Sequence, residues 1–149
     1  MKFFMIALIT LLLVGNVFAE TFISACTKAL NSAEKYRKEE ISLIKQKSSE
    51  QAFQALSKKV WNLKNTWRQN CTQYPPDSLL LLRLKVQMTI EELSNHIWSA
   101  KMKILMGDKS DWVVENSQGN AVRLDHAPAY DASLKEARAI LAKYKLPKP

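Results

Sequence analysis

Apolar residues recur along this chain at the three-and-four spacing of helices, in three long runs and one short one. Over residues 21–46, Ile23, Cys26, Leu30, Ala33, Ile41 and Ile44 share one face; Arg37 interrupts it, with an aliphatic stem able to follow the seam while its charge reaches water. From about 50 to 73, the stripe is cleaner: Phe53, Leu56, Val60, Leu63, Trp67, Cys71 and Tyr74. Pro75-Pro76 stops it, because neither residue donates a backbone N–H and each restricts the residue before it. Asp77 or Ser78 then suits the N-cap of a third helix over 78–106. This is the most apolar element. Leu79, Leu82, Val86, Ile90, Leu93, Ile97 and Ile104 form its stripe, and Leu81, Leu84, Met88 and Leu105 are expected to widen it, which places the helix centrally. Gly107 is a natural C′ residue. From 108 to 130 the helical period fails. Ser133 and Glu136 then make a capping box, and Leu134, Ala137, Ile140, Leu141 and Tyr144 a short fourth helix. The pattern predicts an all-α fold: an antiparallel helical hairpin, a long central helix and a short C-terminal helix in a four-helix-type bundle. An irregular or small β-hairpin excursion is expected at about 107–130.

The first nineteen residues set the expected compartment. Lys2 precedes an apolar run, Phe3 to Val14, and Val17-Phe18-Ala19 places small residues where a signal peptidase reads. Residues 1–19 therefore read as a cleaved signal peptide and 20–149 as one helical domain, periplasmic or secreted. Cys26 and Cys71 fit this location. A hairpin turning at the polar break Lys47-Ser48-Ser49 brings both to the same level, and an exported pair is expected to oxidise. Closing that loop stabilises by roughly 4 kcal/mol in the chain-entropy picture. The rival reading is a lipobox at Ile23-Ser24-Ala25-Cys26, with Cys26 acylated. Asn16, Glu20 and Thr21 then intrude between it and its apolar run.

Composition narrows the chemistry. Without Lys2, 21 basic residues face 14 acidic ones, a balance suited to an anionic partner or simply to solubility, since the lysines are scattered. No glycine-rich phosphate loop, no G-x-S-x-G and no Cys-x-x-Cys is present. His96 borders the predicted core, with alanine at the i+4 position where a metal site would want a ligand. No metal and no cofactor is expected, and no enzyme; the weakest reading is acid–base chemistry by His126 beside Asp125. Nucleic acid and stable membrane insertion are disfavoured.

The segment 107–130 is the expected functional surface, because a connection this long without helical period is uncommon unless it binds something. Trp112-Val113-Val114 and Ala121-Val122-Arg123-Leu124 flank Asn116-Ser117-Gln118-Gly119, a candidate turn. Trp112, Arg123, Asp125, His126 and Tyr130 are the candidate partner-binding residues. The competing reading makes the segment a plug for the open end of the bundle. Trp67-Arg68-Gln69-Asn70-Cys71, lying 45 residues after Cys26 at its cysteine, resembles the helical pair of periplasmic lysozyme-inhibitor domains. It departs from their usual Trp-x-x-aromatic-Arg spacing and covers under half of the chain. The expectation is an exported, non-enzymatic accessory, inhibitor or immunity-type factor that binds another exported or envelope protein. The alternative is a carrier or sensor of an anionic amphiphile held between helices.

Overall fold

A computed structural model describes residues 2–70, 77–106, 113–115, 121–123 and 126–144. The described residues form an all-α bundle of four helices: α1 (Lys2–Lys45), α2 (Glu50–Asn70), α3 (Asp77–Met106) and α4 (His126–Leu141). Between α3 and α4, β1 (Val113–Glu115) and β2 (Ala121–Arg123) pair antiparallel, with Val114 opposite Val122. Among the described residues, no helix is long and apolar enough to cross a membrane.

Two buried clusters give the helix directions. In the first, Phe22, Ile23, Cys26 and Leu30 of α1 meet Trp67 of α2, Leu79 to Ile90 of α3 and Ala137 of α4. In the second, Ala33 meets Leu56 and Val60, Leu93 and Ile97, and Tyr130. Advancing along α1 and α3 thus means retreating along α2 and α4, an up-down-up-down bundle. α3 packs against all three other helices, the central place its apolar content predicts.

The α1–α2 connection is a tight reversal. Lys47 takes a left-handed conformation (φ 49°) usually left to glycine. The Ser48 N–H donates to the Leu43 carbonyl and the Lys47 N–H to the Ile44 carbonyl, so the last turn of α1 closes as a Schellman motif. The Ser49 carbonyl then accepts the first bonds of α2, from Ala52 and Phe53.

Four expectations are corrected. Ile41 and Ile44 are exposed, and the buried stripe of α1 instead runs on through Glu40, at the same three-and-four spacing. Arg37, on that stripe, is mostly covered. On α3, Leu81, Leu84, Met88 and Leu105 do not widen the core; they are exposed on the side away from it, and Ile104 is exposed too. α3 is apolar on two sides, and its neighbours cover only one. Finally, α4 starts at His126, seven residues before the Ser133 cap. Pro128 sits in its first turn, where a missing N–H costs nothing, and Ser133 is buried inside the helix.

Ion pairs stitch the helices together outside the core. Lys59 reaches Glu39 (2.6 Å), Lys85 reaches Glu136 (2.7 Å), and Arg138 reaches Glu34 (2.7 Å) and Asn31 (2.6 Å). Lys64 and Arg68 share Glu91, and Lys101 bonds Gln54 (2.6 Å) beside Glu50. Several of the basic residues are thus consumed within the fold. Each exposed pair is worth about 0.2–1 kcal/mol, so packing dominates.

The two faces of α3 can be told apart by denaturation. Leu82→Ala is expected to cost about 2–4 kcal/mol, because its side chain is fully enclosed. Leu81→Ala, one residue away but exposed, should change stability by less than about 0.5 kcal/mol in dilute protein. Urea midpoints of the two variants check this.

Candidate functional site

One polar cluster lies inside the bundle, on the stripes that the apolar pattern reserves for the core. Continuing α1 from Ile23, Cys26, Leu30 and Ala33 at three-and-four spacing leads to Arg37 and Glu40. Glu40 is 0% exposed. An ionised carboxylate so enclosed must be matched by charge and hydrogen bonds. Arg37 Nη1 donates to Glu40 Oε2 (2.5 Å), and the second oxygen, Oε1, meets His96 Nδ1 of α3.

That geometry fixes the histidine tautomer. With Glu40 ionised, His96 Nδ1 carries the proton it donates to the carboxylate. Arg37 Nη1 also lies 3.1 Å from the same nitrogen and 3.5 Å from Nε2. A guanidinium only donates, and a protonated nitrogen offers it no lone pair. Arg37 therefore lies beside the imidazole ring while its hydrogen bond goes to Glu40. The guanidinium carbon also sits 5.9 Å from the centre of the Tyr130 ring, a cation–π contact to α4.

Tyr130 closes the cluster. It is 2% exposed, and its hydroxyl is buried without a hydrogen-bond partner. Burial raises its pKa well above the ordinary tyrosine value, the Glu34 carboxylate adds to the rise, and Arg37 opposes it. The phenol is therefore neutral across the physiological range. Tyr130 was expected to be a recognition side chain of the excursion. It is instead core, because α4 begins early enough to turn it onto the second buried cluster.

Of the other predicted contact residues, Arg123 lies on β2 and His126 opens α4, while Trp112 and Asp125 lie outside the described residues. Cys26 is buried in the first cluster; Cys71 lies outside the described residues, and so does the pairing of the two. Among the described residues, no group of three or more His, Cys, Asp or Glu side chains is placed to hold a metal.

A second feature is a groove of about 750 Å³ between α1 and α2. Its walls carry Thr21, Ser24, Lys28, Thr66 and Asn70, over Trp67, which stacks obliquely on Phe22 at 6.0 Å. At the opposite end of the bundle, Ile44 lies one turn beyond Glu40 and Ile104 two turns beyond His96, both exposed. Tyr130 is level with Leu93 and Ile97, so α3 continues about two turns past the start of α4. This apolar end adjoins the segment that joins the two helices.

Sequence reasoning placed Arg37 and His96 at the edge of the core and missed Glu40. The available signal was a pair of opposite charges, i and i+3, on a stripe otherwise filled by apolar residues. No known protein family, curated protein or solved structure matches this chain.

Removing the shared carboxylate should be costly. Glu40→Ala leaves Arg37 and His96 without their acceptor, and a loss of about 1–3 kcal/mol is expected, below the ~3–5 of a fully enclosed pair because both partner side chains touch water. Tyr130→Phe should behave in the opposite way. It deletes an unsatisfied hydroxyl, so stability at neutral pH should be unchanged or rise by up to about 1 kcal/mol. Because the folded pKa is raised, wild-type protein loses stability as pH climbs above about 10, where the unfolded chain starts to release the proton. The Phe variant should lack that alkaline loss. Denaturant titrations at pH 7 and pH 10.5 (roughly half a unit above the free phenol value) check both statements.

Proposed function

We propose that this chain is an exported, non-enzymatic binding protein, a periplasmic accessory, inhibitor or immunity-type factor that works by protein–protein contact. In this reading residues 1–19 are removed after Ala19, a Cys26–Cys71 disulfide pins α1 to α2, and the 107–130 excursion is a small β-hairpin that carries the contact. The observation that supports it is the apolar end of the bundle. Ile41, Ile44 and Ile104 are exposed there, beside the points where the excursion leaves α3 and re-enters α4. Exposed apolar side chains grouped at one end of a packed domain mark interaction surfaces. Trp112, Arg123, Asp125 and His126 supply the aromatic, cationic and hydrogen-bonding groups that anchor such contacts. Tyr130 supports them from beneath, holding the start of α4 to the core.

The partner is another exported or envelope protein. An acidic surface on it would suit the chain's net positive charge. The second reading, a carrier or sensor of an anionic amphiphile, draws support from the α1–α2 groove. Lys28 offers a cation to a head group there, with hydroxyl and amide neighbours, though the floor offers an alkyl chain little depth.

The test is the double variant Trp112→Ala, Arg123→Ala, expressed and exported like the wild type. Its stability should change by less than about 0.5 kcal/mol. Its affinity for the partner recovered with wild-type protein from the exported fraction should fall at least about 100-fold, as for loss of two anchoring side chains. Unfolding of the double variant would instead identify the excursion as a plug, and unchanged partner affinity would move recognition elsewhere.

A further inference from the structure

The groove between α1 and α2 lacks the charge pairs that close the bundle's other seams. Elsewhere a base on one helix finds a carboxylate on its neighbour: Lys64 with Glu91 between α2 and α3, Lys85 with Glu136 between α3 and α4, and Arg138 with Glu34 between α4 and α1. Lys59 and Glu39 do the same farther along α1 and α2. In the groove, Lys28 of α1 meets Thr66 and Asn70 of α2, which sends no acid into it. Among the described residues, the side chains of Glu20, Ser24, Lys28, Ser32, Thr66 and Asn70 make no hydrogen bond or ion pair.

Small side chains open the space. Ser24, Ala25, Ala29 and Ser32 of α1 leave about 750 Å³ that Leu63 and Trp67 do not fill. The floor is closed, because Ala29 and Trp67 are only 5% and 4% exposed. From Glu20 to Ser32, α1 rises about 18 Å at 1.5 Å per residue. Five residues of extended chain span about 17 Å.

We propose that this groove binds an extended segment of about five residues of a partner protein, with an acidic side chain set on Lys28. An extended backbone presents N–H and C=O groups that both need partners. The Ser24, Ser32 and Thr66 hydroxyls and the Asn70 amide can each donate and accept, so they suit either. Lys28 stands between Ser24 and Ser32, one turn from each, where the fold supplies it no carboxylate. Removal of residues 1–19, as proposed above, would set the new terminal ammonium beside the Glu20 carboxylate and offset it, leaving Lys28 as the charge to be matched.

The other ligand classes fit less well. A sugar ring stacks on an open aromatic face, whereas Trp67 is turned into the core against Phe22. A phosphate is held by several cations, and here one lysine shares the groove with a carboxylate. An alkyl chain needs depth that the closed floor does not give. The groove lies at the end of the bundle away from residues 107–130 and does not depend on their role. Trp112→Ala, Arg123→Ala should leave it unchanged.

The test is an amide chemical-shift titration of nitrogen-15-labelled protein, expressed from the full 149-residue sequence. The probes are two blocked pentapeptides, four alanines around a central glutamate or a central lysine. The glutamate peptide should shift the signals of residues 21–32 and 63–70 saturably, and bind at least about 10-fold more tightly than the lysine peptide. Lys28→Glu should invert that preference. Thr66→Trp, at an exposed position on the wall, should block both peptides without lowering the melting temperature. The proposal is overturned if neither peptide gives saturable shifts in the groove, or if Lys28→Glu leaves the preference unmoved. Shifts of the same size with acetate alone overturn it in favour of a small-anion site. Shifts with dodecyl phosphate and none with either peptide overturn it in favour of an amphiphile.

Discussion

Glu40 is the point on which the bundle's register depends. An ionised carboxylate without access to water costs several kcal/mol unless charge and donors meet it, and here the two that do come from different helices. Arg37 is presented by the same helix, one turn back, while His96 comes from α3. Sliding α1 against α3 by one turn would separate Glu40 from His96, whereas apolar members of the first cluster, such as Leu30 and Val86, would find near-equivalent neighbours. A polar group in a helical core sacrifices some stability and favours one alignment over its competitors. Tyr130 extends the constraint to α4 through the Arg37 guanidinium, without a hydrogen bond of its own.

Around that point, packing supplies most of the stability. Two clusters share α3, which touches every other helix and so carries the most enclosed side chains. The surface charges act as local fastenings between neighbouring helices. Lysines and arginines are spent on Glu34, Glu39, Glu91 and Glu136, but each pair cancels one charge of either sign, so the net positive charge remains for the surface.

Apart from Trp61 on α2, the large apolar side chains left in water fall into two groups with different geometry. One group, at the end of α1 and α3, is local and adjoins the excursion. The other runs the length of α3, on the side away from the core. A helix apolar on both sides has a weak amphipathic signal, and α3 shows why such a signal is ambiguous: the same composition arises from a helix buried on every side and from one that serves two separate faces.

The helices, their order and most of the core were legible in the chain, because the stripes on α1, α2 and α3 record directly which side chains leave water. The polar break at 47–49 was legible as a turn for the same reason, although the left-handed Lys47 was not. Where α4 begins was misread, since Ser133 and Glu136 have the form of a cap and Pro128 that of a breaker; the core's demand for Tyr130 outweighed both. The candidate site was half visible: Arg37 and His96 stood out as polar residues at a seam, but their meeting at Glu40 spans more than fifty residues of sequence. Local spacing determines which face of a helix is apolar. Only packing decides which apolar face is covered, and which charges meet inside, because those outcomes depend on the shape and position of helices distant in the chain.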